Sequence, residues 1–192
     1  MTCATRSLRA LAALLLATAL APAHSDTMTA RIEPDPAVAW TAVNDAVMGG
    51  ESEGRVARAD DGTLLFAGQL SFANNGGFAS ARRPVALPAD EEGRLEIACV
   101  GDGRRYKVAL YTDVGGSGYS YQAELNTEPG VTTRVAFAWR DFLPRFRGRP
   151  LPDAPPLQPQ RVRYLGFLIA DRVGTPFRLA VDSITVVAGP TR

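Results

Sequence analysis

The sequence predicts an all-β protein, most simply a jelly-roll β-sandwich of two packed sheets. Beyond the N-terminal segment, apolar and polar residues alternate with a period of two, and glycine, asparagine, aspartate and proline bound the alternating runs. No stretch there has long helical periodicity. Nine or ten short strands are expected from these runs, joined mainly by antiparallel hairpins.

The N-terminus has the pattern of a secretory signal. Arg6 and Arg9 precede a largely apolar run at 10–21, and small residues around Ala23 suit cleavage after it. An uncleaved membrane anchor is the alternative, but it would need roughly 20 apolar residues to span a bilayer. The expected organisation is a signal peptide at 1–23, an N-terminal extension at 24–38 and one β-sandwich domain at 39–189, in a periplasmic or secreted protein.

Charge and cysteine content narrow the choice of partner and of stabilising bonds. The full sequence has a net charge of +1, and loss of the two signal arginines makes it slightly acidic, so nucleic acid and anionic lipid are not expected partners. With Cys3 in the signal, Cys99 has no internal disulfide partner. It shares a predicted strand face with Leu95 and Ile97, which indicates a buried apolar filler; a reactive thiol is the alternative.

The first half of the domain is predicted to consist of half-buried strands. Leu64 and Phe66 share one face of a strand at 64–72, with Gln69 on the other. Glycine-containing turns at 101–103 and 115–118 predict further hairpins. The other strands predicted from alternation are at 95–99, 106–110, 119–125 and 135–139.

Three later features are more particular. Residues 162–170 are apolar on both faces, which predicts a central strand covered on both sides. The alternation slips at Asp182 and Ser183, which predicts a β-bulge in the last strand. Residues 141–160 contain six prolines and are expected to form a long irregular loop, preceded by a short helical turn at 139–142.

Two polar, glycine-rich loops are candidate binding sites. Asn44, Asp45 and Met48 combine two polar side chains with an adaptable thioether before a glycine pair. Asn74 and Phe78 flank a second glycine pair with an amide and an aromatic ring, which suit sugar hydroxyls or a partner's backbone. Turn formation is the alternative for both loops: an Asx-turn in the first, and a tight hairpin in the second.

Arginines beside aromatic rings mark two further candidate sites. Arg104 and Tyr106 follow a turn and project near it, with pairing of the arginine to a neighbouring acid as the alternative. The glycine pattern there does not indicate a dinucleotide site, because Tyr106 takes the third glycine position and a strand follows. Phe146 and Arg147 lie in an arginine-rich loop where the ring is hard to bury, a composition typical of interface hot spots.

Catalytic and metal sites lack their usual residues. His24, the sole histidine, lies at the expected mature N-terminus, so no Ser-His-Asp or Cys-His arrangement is available on a rigid scaffold. One cysteine and one terminal histidine cannot form a zinc site, and adjacent acids such as Asp60 and Asp61 cannot flank a glycosidic bond. We expect no enzyme activity, cofactor or metal; calcium bound by backbone and carboxylate oxygens is the alternative.

The chain resembles the complex I intermediate-associated protein 30 family from about Trp40 to its end. That resemblance implies a galactose-binding-domain-like jelly roll without enzymatic activity, and mitochondrial members assist assembly of NADH:ubiquinone oxidoreductase. A secretory signal stands here where a mitochondrial transit peptide would be expected. The segments that carry the resemblance are 43–52, 68–82, 101–106, 119–122, 142–149, 166–171 and 176–177.

Three functions are therefore considered. The first is a non-enzymatic protein-binding module, an exported assembly factor or chaperone whose partner is a protein, a membrane-protein complex included. The second is a carbohydrate-binding module of the bacterial envelope or extracellular space, based on the amide and aromatic loops. The third is an enzyme, which the missing nucleophile and base pairs disfavour.

Overall fold

The computed structural model describes residues 29–33, 35, 38–112 and 118–189. The predicted signal peptide and most of the turn at 115–118 lie outside them.

The first of two antiparallel sheets is built around the long C-terminal strand. The strand order is β3-β4-β13-β6-β9, with β1 also paired to β13. The strands are β1 (Thr29–Glu33), β3 (Glu53–Arg58), β4 (Leu64–Gln69), β6 (Arg94–Val100), β9 (Thr132–Ala138) and β13 (Pro176–Val187).

The second sheet has seven strands in the order β11-β10-β8-β7-β12-β5-β2. Its neighbouring strands are antiparallel throughout. These strands are β2 (Thr41–Asn44), β5 (Ala79–Pro84), β7 (Arg105–Thr112), β8 (Ser120–Asn126), β10 (Leu143–Phe146), β11 (Arg149–Pro150) and β12 (Val162–Ile169). The all-β sandwich is confirmed, with thirteen strands in the described residues because short edge strands add to those predicted.

Within residues 29–33, 35, 38–112 and 118–189, helical structure is limited to single turns. No helix in the described part of the chain is long and apolar enough to cross a membrane. The 3-10 turns span Asp45–Met48, Ala73–Asn75, Trp139–Asp141 and Pro159–Arg161.

The inner faces of the two sheets form one hydrophobic core. Phe66 and Phe177, on adjacent strands of the first sheet, have ring centroids 4.9 Å apart. Phe167 of the second sheet stacks on Trp40 at 5.6 Å. Cys99 is fully buried in this core, and burial raises the pKa of its thiol to about 11. Its predicted role as an apolar filler is confirmed, because a protonated, inaccessible thiol is a poor nucleophile.

Of the predictions for β12 and β13, two are confirmed and one is wrong. The bulge is confirmed, because the register of β13 against β6 shifts between Val181 and Ser183. β12 lies between β7 and β5, inside the second sheet, as expected. The prediction that both faces of β12 are covered is wrong, because Tyr164 is 42% exposed. The sandwich has two layers, so each sheet packs only one face against the other.

Residues 141–160 are more regular than predicted. The short helical turn is confirmed at Trp139–Asp141, but β10 and β11 then form a hairpin, and β10 pairs with β8. The prolines conceal these strands because a proline is tolerated on a short edge strand, where no ladder partner needs its missing N–H. The remainder of the segment is attached to the sandwich by the Tyr121 hydroxyl, which donates to the Pro155 carbonyl at 2.9 Å.

The turns predicted at 75–77 and 102–103 are not hairpins. β4 and β5 belong to different sheets, and so do β6 and β7, so both loops cross between the layers. Asn74, Asn75 and Gly103 have positive φ in these loops, as their residue types favour. Turn residues therefore show where the chain bends, but they do not show which sheet the next strand joins.

The predicted N-terminal extension contributes a strand and a buried carboxylate. β1 pairs with β13, and Glu33 at its end is almost fully buried. Glu33 accepts hydrogen bonds from Trp40 Nε1 at 3.0 Å and Arg58 Nη2 at 2.7 Å, and it also pairs with Arg83. Burial opposes ionisation of Glu33, but the bonds from Arg58, Trp40 and Arg83 outweigh it and hold its pKa below the usual range.

Candidate functional site

The solvent-side surface of the second sheet gathers polar and aromatic side chains from four strands. Side chains alternate between the two faces of each strand, so residues that pair across the register share a face. Tyr164 pairs with Tyr111, while Gly166 pairs with Ala109 and Arg82. We call this surface the outer face, and its central residues are Arg82, Ala109, Tyr111, Ser120, Gln122, Tyr164 and Gly166.

Arg82 lies between two tyrosine rings at the centre of the outer face. Its Cζ is 5.6 Å from the ring centroid of Tyr111 and 5.6 Å from that of Tyr164. Both distances suit cation–π attraction, which holds the guanidinium between the rings. Burial raises the pKa of Tyr111, against the effect of Arg82, so its hydroxyl stays protonated at neutral pH and can donate a hydrogen bond.

Small residues form the floor beneath this cluster. A Cβ added to Gly166 would lie 2.4 Å from the Ala81 carbonyl oxygen and 3.1 Å from Arg82 Cβ, so a larger residue would push the strands apart. Beside Tyr164, the surface opens into a depression of about 570 Å³. That depression is lined by Val38, Ala39, Thr41, Arg82, Pro84 and Tyr164.

Gln122 extends the outer face with an unused hydrogen-bond acceptor. The residue is only 8% exposed, and its Nε2 donates to Ser120 Oγ at 2.9 Å. Its Oε1 is buried and has no hydrogen-bond partner in the described residues. An acceptor left in that state costs roughly 1–3 kcal/mol, so a donor from a bound ligand would find a favourable partner there.

The first predicted loop uses Asp45 inside the protein. Asp45 is fully buried and accepts hydrogen bonds from Ser52 N at 2.9 Å, Gly77 N at 2.6 Å and Phe78 N at 3.2 Å, as well as from the Ser52 hydroxyl. Burial alone would raise the pKa of Asp45, but these bonds lower it. The carboxylate therefore joins the loop after β2 to the loop before β5 and leaves no acceptor facing solvent.

Other candidates near Asp45 have mixed environments. Asn44 is half-buried, with Nδ2 donating to the Gly54 carbonyl at 3.0 Å and Oδ1 without a partner among the described residues. Phe78 is half-buried behind its bond to Asp45, whereas Asn74 is exposed with φ of 54°. The Met48 side chain lies outside what the structure describes. Asn74 is thus the member of this group that presents its side chain most openly.

Arg104 and Tyr106 are also engaged within the protein. Arg104 Nε donates to Asp171 Oδ2 at 2.9 Å, and its other nitrogens donate to Asp171 and to the carbonyls of Val173 and Thr175. The Tyr106 hydroxyl donates to Asp102 Oδ1 at 2.9 Å, and burial raises its pKa. The alternative of an arginine paired with a neighbouring acid therefore describes Arg104 in this structure, and both Arg104 and Tyr106 are buried.

Phe146 and Arg147 lie at the tip of the β10–β11 hairpin, away from the loops just described. Phe146 is 38% exposed, and Arg147 Cζ lies 5.3 Å from its ring centroid. Arg147 has a φ of 48° and Gly148 a φ of 80°, which close the tight turn. Leu143 on the same short strand is 55% exposed, so the hairpin presents two apolar side chains to solvent.

Sequence reasoning missed the residues of the outer face. Arg82 and Gln122 lie inside segments that carry the family resemblance, but neither was singled out, nor were Tyr111 and Tyr164. Tyr164 lies in the strand predicted at 162–170, but Tyr111 lies one residue beyond the strand predicted at 106–110, and no strand was predicted around Arg82. Their proximity depends on strand order, which the strand period does not reveal.

The family model for complex I intermediate-associated protein 30 (CIA30) matches residues 32–181. The chain belongs to the CIA30 family. The resemblance seen in the sequence is thereby confirmed, and the match covers both sheets of this CIA30 domain. No curated protein matches the sequence.

Solved structures similar to this CIA30 domain include carbohydrate-binding modules. A family 11 module of the cellulosomal cellulase Lic26A-Cel5E of Clostridium thermocellum has a TM-score of 0.58 at 12% identity, covering 88% of this chain and 98% of that one. A family 30 module of Cel9D-Cel44B from the same organism has a TM-score of 0.58 at 16% identity, covering 84% and 98%. A family 29 module has 0.54 at 8% identity, covering 85% and 90%. At such identities these likenesses show the jelly-roll fold.

Proposed function

We propose that this CIA30 domain is a non-catalytic carbohydrate-binding module whose site is the outer face. The observation that carries the proposal is the placement of Arg82 between Tyr111 and Tyr164, above a floor of small residues. Aromatic rings offer apolar surfaces to the C–H faces of a sugar ring, while nearby hydroxyls and amides bind its hydroxyl groups. The outer face provides both kinds of group within one surface.

The arrangement suits an extended chain of sugars. The face spans adjacent strands β5, β12, β7 and β8, so an oligosaccharide lying across them would meet Tyr164 and Tyr111 and then Gln122. The unpartnered Gln122 Oε1 would accept a hydrogen bond from a sugar hydroxyl once the side chain turns outward from its buried position. Recognition would thus combine stacking, which tolerates many sugars, with directional bonds that select among them.

The comparisons support this function by analogy. Modules of families 11, 29 and 30 share the fold, and a family 11 module was solved in complex with a β-1,3-1,4-mixed-linked tetrasaccharide. The predicted signal supports a periplasmic or secreted location, where envelope and extracellular glycans are accessible. The described residues hold no group of three histidine, cysteine, aspartate or glutamate side chains suited to a metal ion.

Affinity measurements with neutral and acidic polysaccharides test the proposal. In affinity gel electrophoresis and calorimetry, Tyr111→Ala and Tyr164→Ala should each weaken glycan binding by about tenfold or more, because a stacking ring contributes roughly 1 kcal/mol or more. Phe72→Ala is the matched control, since Phe72 is an exposed aromatic outside the outer face. Failure of every polysaccharide to bind, or equal effects of Phe72→Ala, would reject the proposal.

Protein binding at the β10–β11 hairpin is a second candidate function. It was the first expectation from the family resemblance, and it is favoured by the exposed Leu143 and Phe146 with Arg147 against the ring. Aromatic and arginine side chains are enriched at interface hot spots. The finer role of assembly factor or chaperone, acting on an envelope protein or membrane-protein complex, belongs to this second proposal.

Site-specific cross-linking separates the two functions. A photoreactive residue at position 146 should capture a defined protein in the native host, whereas the same residue at position 72 should not. Phe146→Ala should abolish capture and leave glycan binding unchanged, because the hairpin tip carries none of the outer-face residues that define the proposed glycan site. Equal capture from both positions would count against a specific protein site at the hairpin.

A further inference from the structure

Cationic side chains predominate on the outer face. The outward positions of the seven strands carry four basic residues and one acidic residue, which is Glu124. Glu124 lies 3.7 Å from Lys107, so its charge is matched locally. The basic residues are Arg82, Arg105, Lys107 and Arg145.

Arg82 differs from the three arginines that form buried or part-buried ion pairs with Glu33 and Asp171. Arg83 and Arg58 pair with Glu33, and Arg104 pairs with Asp171. Arg82 is half-buried, yet no carboxylate in the described residues forms an ion pair with it. Arg82 is held between two tyrosine rings and not by an acid of the described residues, so its guanidinium N–H groups can bind an anionic partner from outside.

We infer that the glycan recognised by the outer face is an acidic one, in which a uronic acid carboxylate binds Arg82 while its sugar ring or a neighbouring one stacks on Tyr111 or Tyr164. This inference rests on the proposed carbohydrate-binding function. The two rings hold the guanidinium in place, so little side-chain entropy is lost when its planar fork binds a carboxylate. Arg105 and Arg145 add a positive field that attracts a polyuronate from either side, while the charge of Lys107 is matched by Glu124.

The charge of the whole chain does not conflict with this inference. Many acidic residues lie off the outer face, as with Glu33 and Asp171 in buried ion pairs and Asp45 in its loop network. The net charge therefore averages a basic face with acidic groups elsewhere. A surface of this size and modest charge suits spaced carboxylates on sugars better than the dense phosphates of nucleic acid.

Matched acidic and neutral glycans provide the test. The probes are oligogalacturonate and its methyl-esterified form, which share one sugar backbone, together with oligomannuronate and mannan oligosaccharides. The wild-type protein should bind an acidic probe at least about tenfold more tightly than its neutral counterpart. That preference should fall as NaCl rises from about 0.05 M to about 0.5 M, because salt shortens the screening length.

Variants of Arg82 assign the preference to one side chain. Arg82→Gln should remove most of the preference for the acidic probe, because its affinity for the acidic probe falls by a larger factor than its affinity for the neutral one. Arg82→Lys should restore part of the preference, since an ammonium keeps the charge but lacks the planar fork. Arg134→Gln, on the exposed side of the other sheet, is the control, and it should change neither the affinity for the acidic probe nor the affinity for the neutral probe.

The outcomes separate this inference from the function on which it rests. Equal affinity for acidic and esterified probes, or an intact preference in a folded Arg82→Gln variant, would overturn the inference and leave carbohydrate binding in place. Absence of binding to all four probes by the wild-type protein would count against both. Tyr164→Ala should weaken binding of both acidic and neutral probes, and of the acidic probe more, because the ring stacks on the sugar and also holds the Arg82 guanidinium.

Discussion

Polar groups are used in opposite ways at the sheet-connecting loops and on the outer face. In the loops, Asp45 and the Arg104–Asp171 pair direct their polar atoms toward other residues of the chain. On the outer face, Arg82 lacks a carboxylate partner and Gln122 Oε1 lacks a donor among the described residues. The difference separates groups that stabilise the fold from groups available to a ligand, although loop composition alone suggested the reverse.

Loss of the Asp171 carboxylate should have the largest effect on stability. Asp171→Asn would leave Arg104 buried without its counter-charge, which costs roughly 3–5 kcal/mol of the free energy of unfolding. Urea denaturation measures this value, and Asp153→Asn, at an exposed acid, is the control. A decrease of less than about 1 kcal/mol in the free energy of unfolding would show that the Arg104–Asp171 ion pair does not stabilise the fold strongly.

Removal of the Asp45 carboxylate should come next. Asp45→Ala would leave buried donors from Ser52, Gly77 and Phe78 unsatisfied, at a cost of roughly 3 kcal/mol in total. Asn74→Gly is the control, because glycine accepts the positive φ at this exposed position. If Asp45→Ala instead kept wild-type stability and lost glycan binding, Asp45 would belong to the ligand site.

Acid should weaken the hydrogen-bond and ion-pair networks of Glu33, Asp45 and Asp171 before it affects the outer face. The folded-state pKa values of Glu33, Asp45 and Asp171 are lowered, so their stabilisation is present above the unfolded values of roughly 4 and is lost as pH falls through the folded ones. Denaturation curves between pH 7 and pH 2 should show a smaller acid dependence in Asp171→Asn; an unchanged dependence would contradict the assignment.

Replacing Gln122 should have the smallest effect on stability and an opposite effect on binding. Gln122→Met keeps the length of the side chain and removes an unsatisfied buried acceptor, so stability should stay within about 1 kcal/mol of wild type or rise. Glycan affinity should fall by about tenfold because the sugar hydroxyl loses its acceptor. Ser120→Ala tests whether the neighbouring hydroxyl merely orients the amide. Unchanged affinity in Gln122→Met would remove this residue from the site.

Much of the fold was accessible from sequence because it depends on local patterns. The bulge at Ser183 and the burial of Cys99 follow from the phase of alternating side chains within single strands. The hairpins expected after Gly76 and Gly103 were wrong because turn residues do not encode the sheet of the next strand. The strands hidden within 141–160 were missed because β10 is defined by its pairing to β8 rather than by its own alternation.

The candidate site shows the same division. Asp45 and Arg104 were predicted as binding residues because polar residues beside glycines are typical of exposed loops. In the structure both residues are buried by loops distant in sequence. Tyr111 and Tyr164 of the outer face were not predicted as binding residues, because they lie more than fifty residues apart in the sequence. Antiparallel pairing of β7 with β12 places them opposite each other.

The sequence by itself determined the all-β character of this protein and its membership of the CIA30 family, because strand periodicity and motif order are properties of the linear chain. Only the tertiary structure decided which polar residues are consumed internally and which face outward. Strand order and register brought Arg82, Tyr111 and Tyr164 together from three separate strands. Long-range pairing of this kind depends on the packing of the whole sandwich, which no local segment specifies.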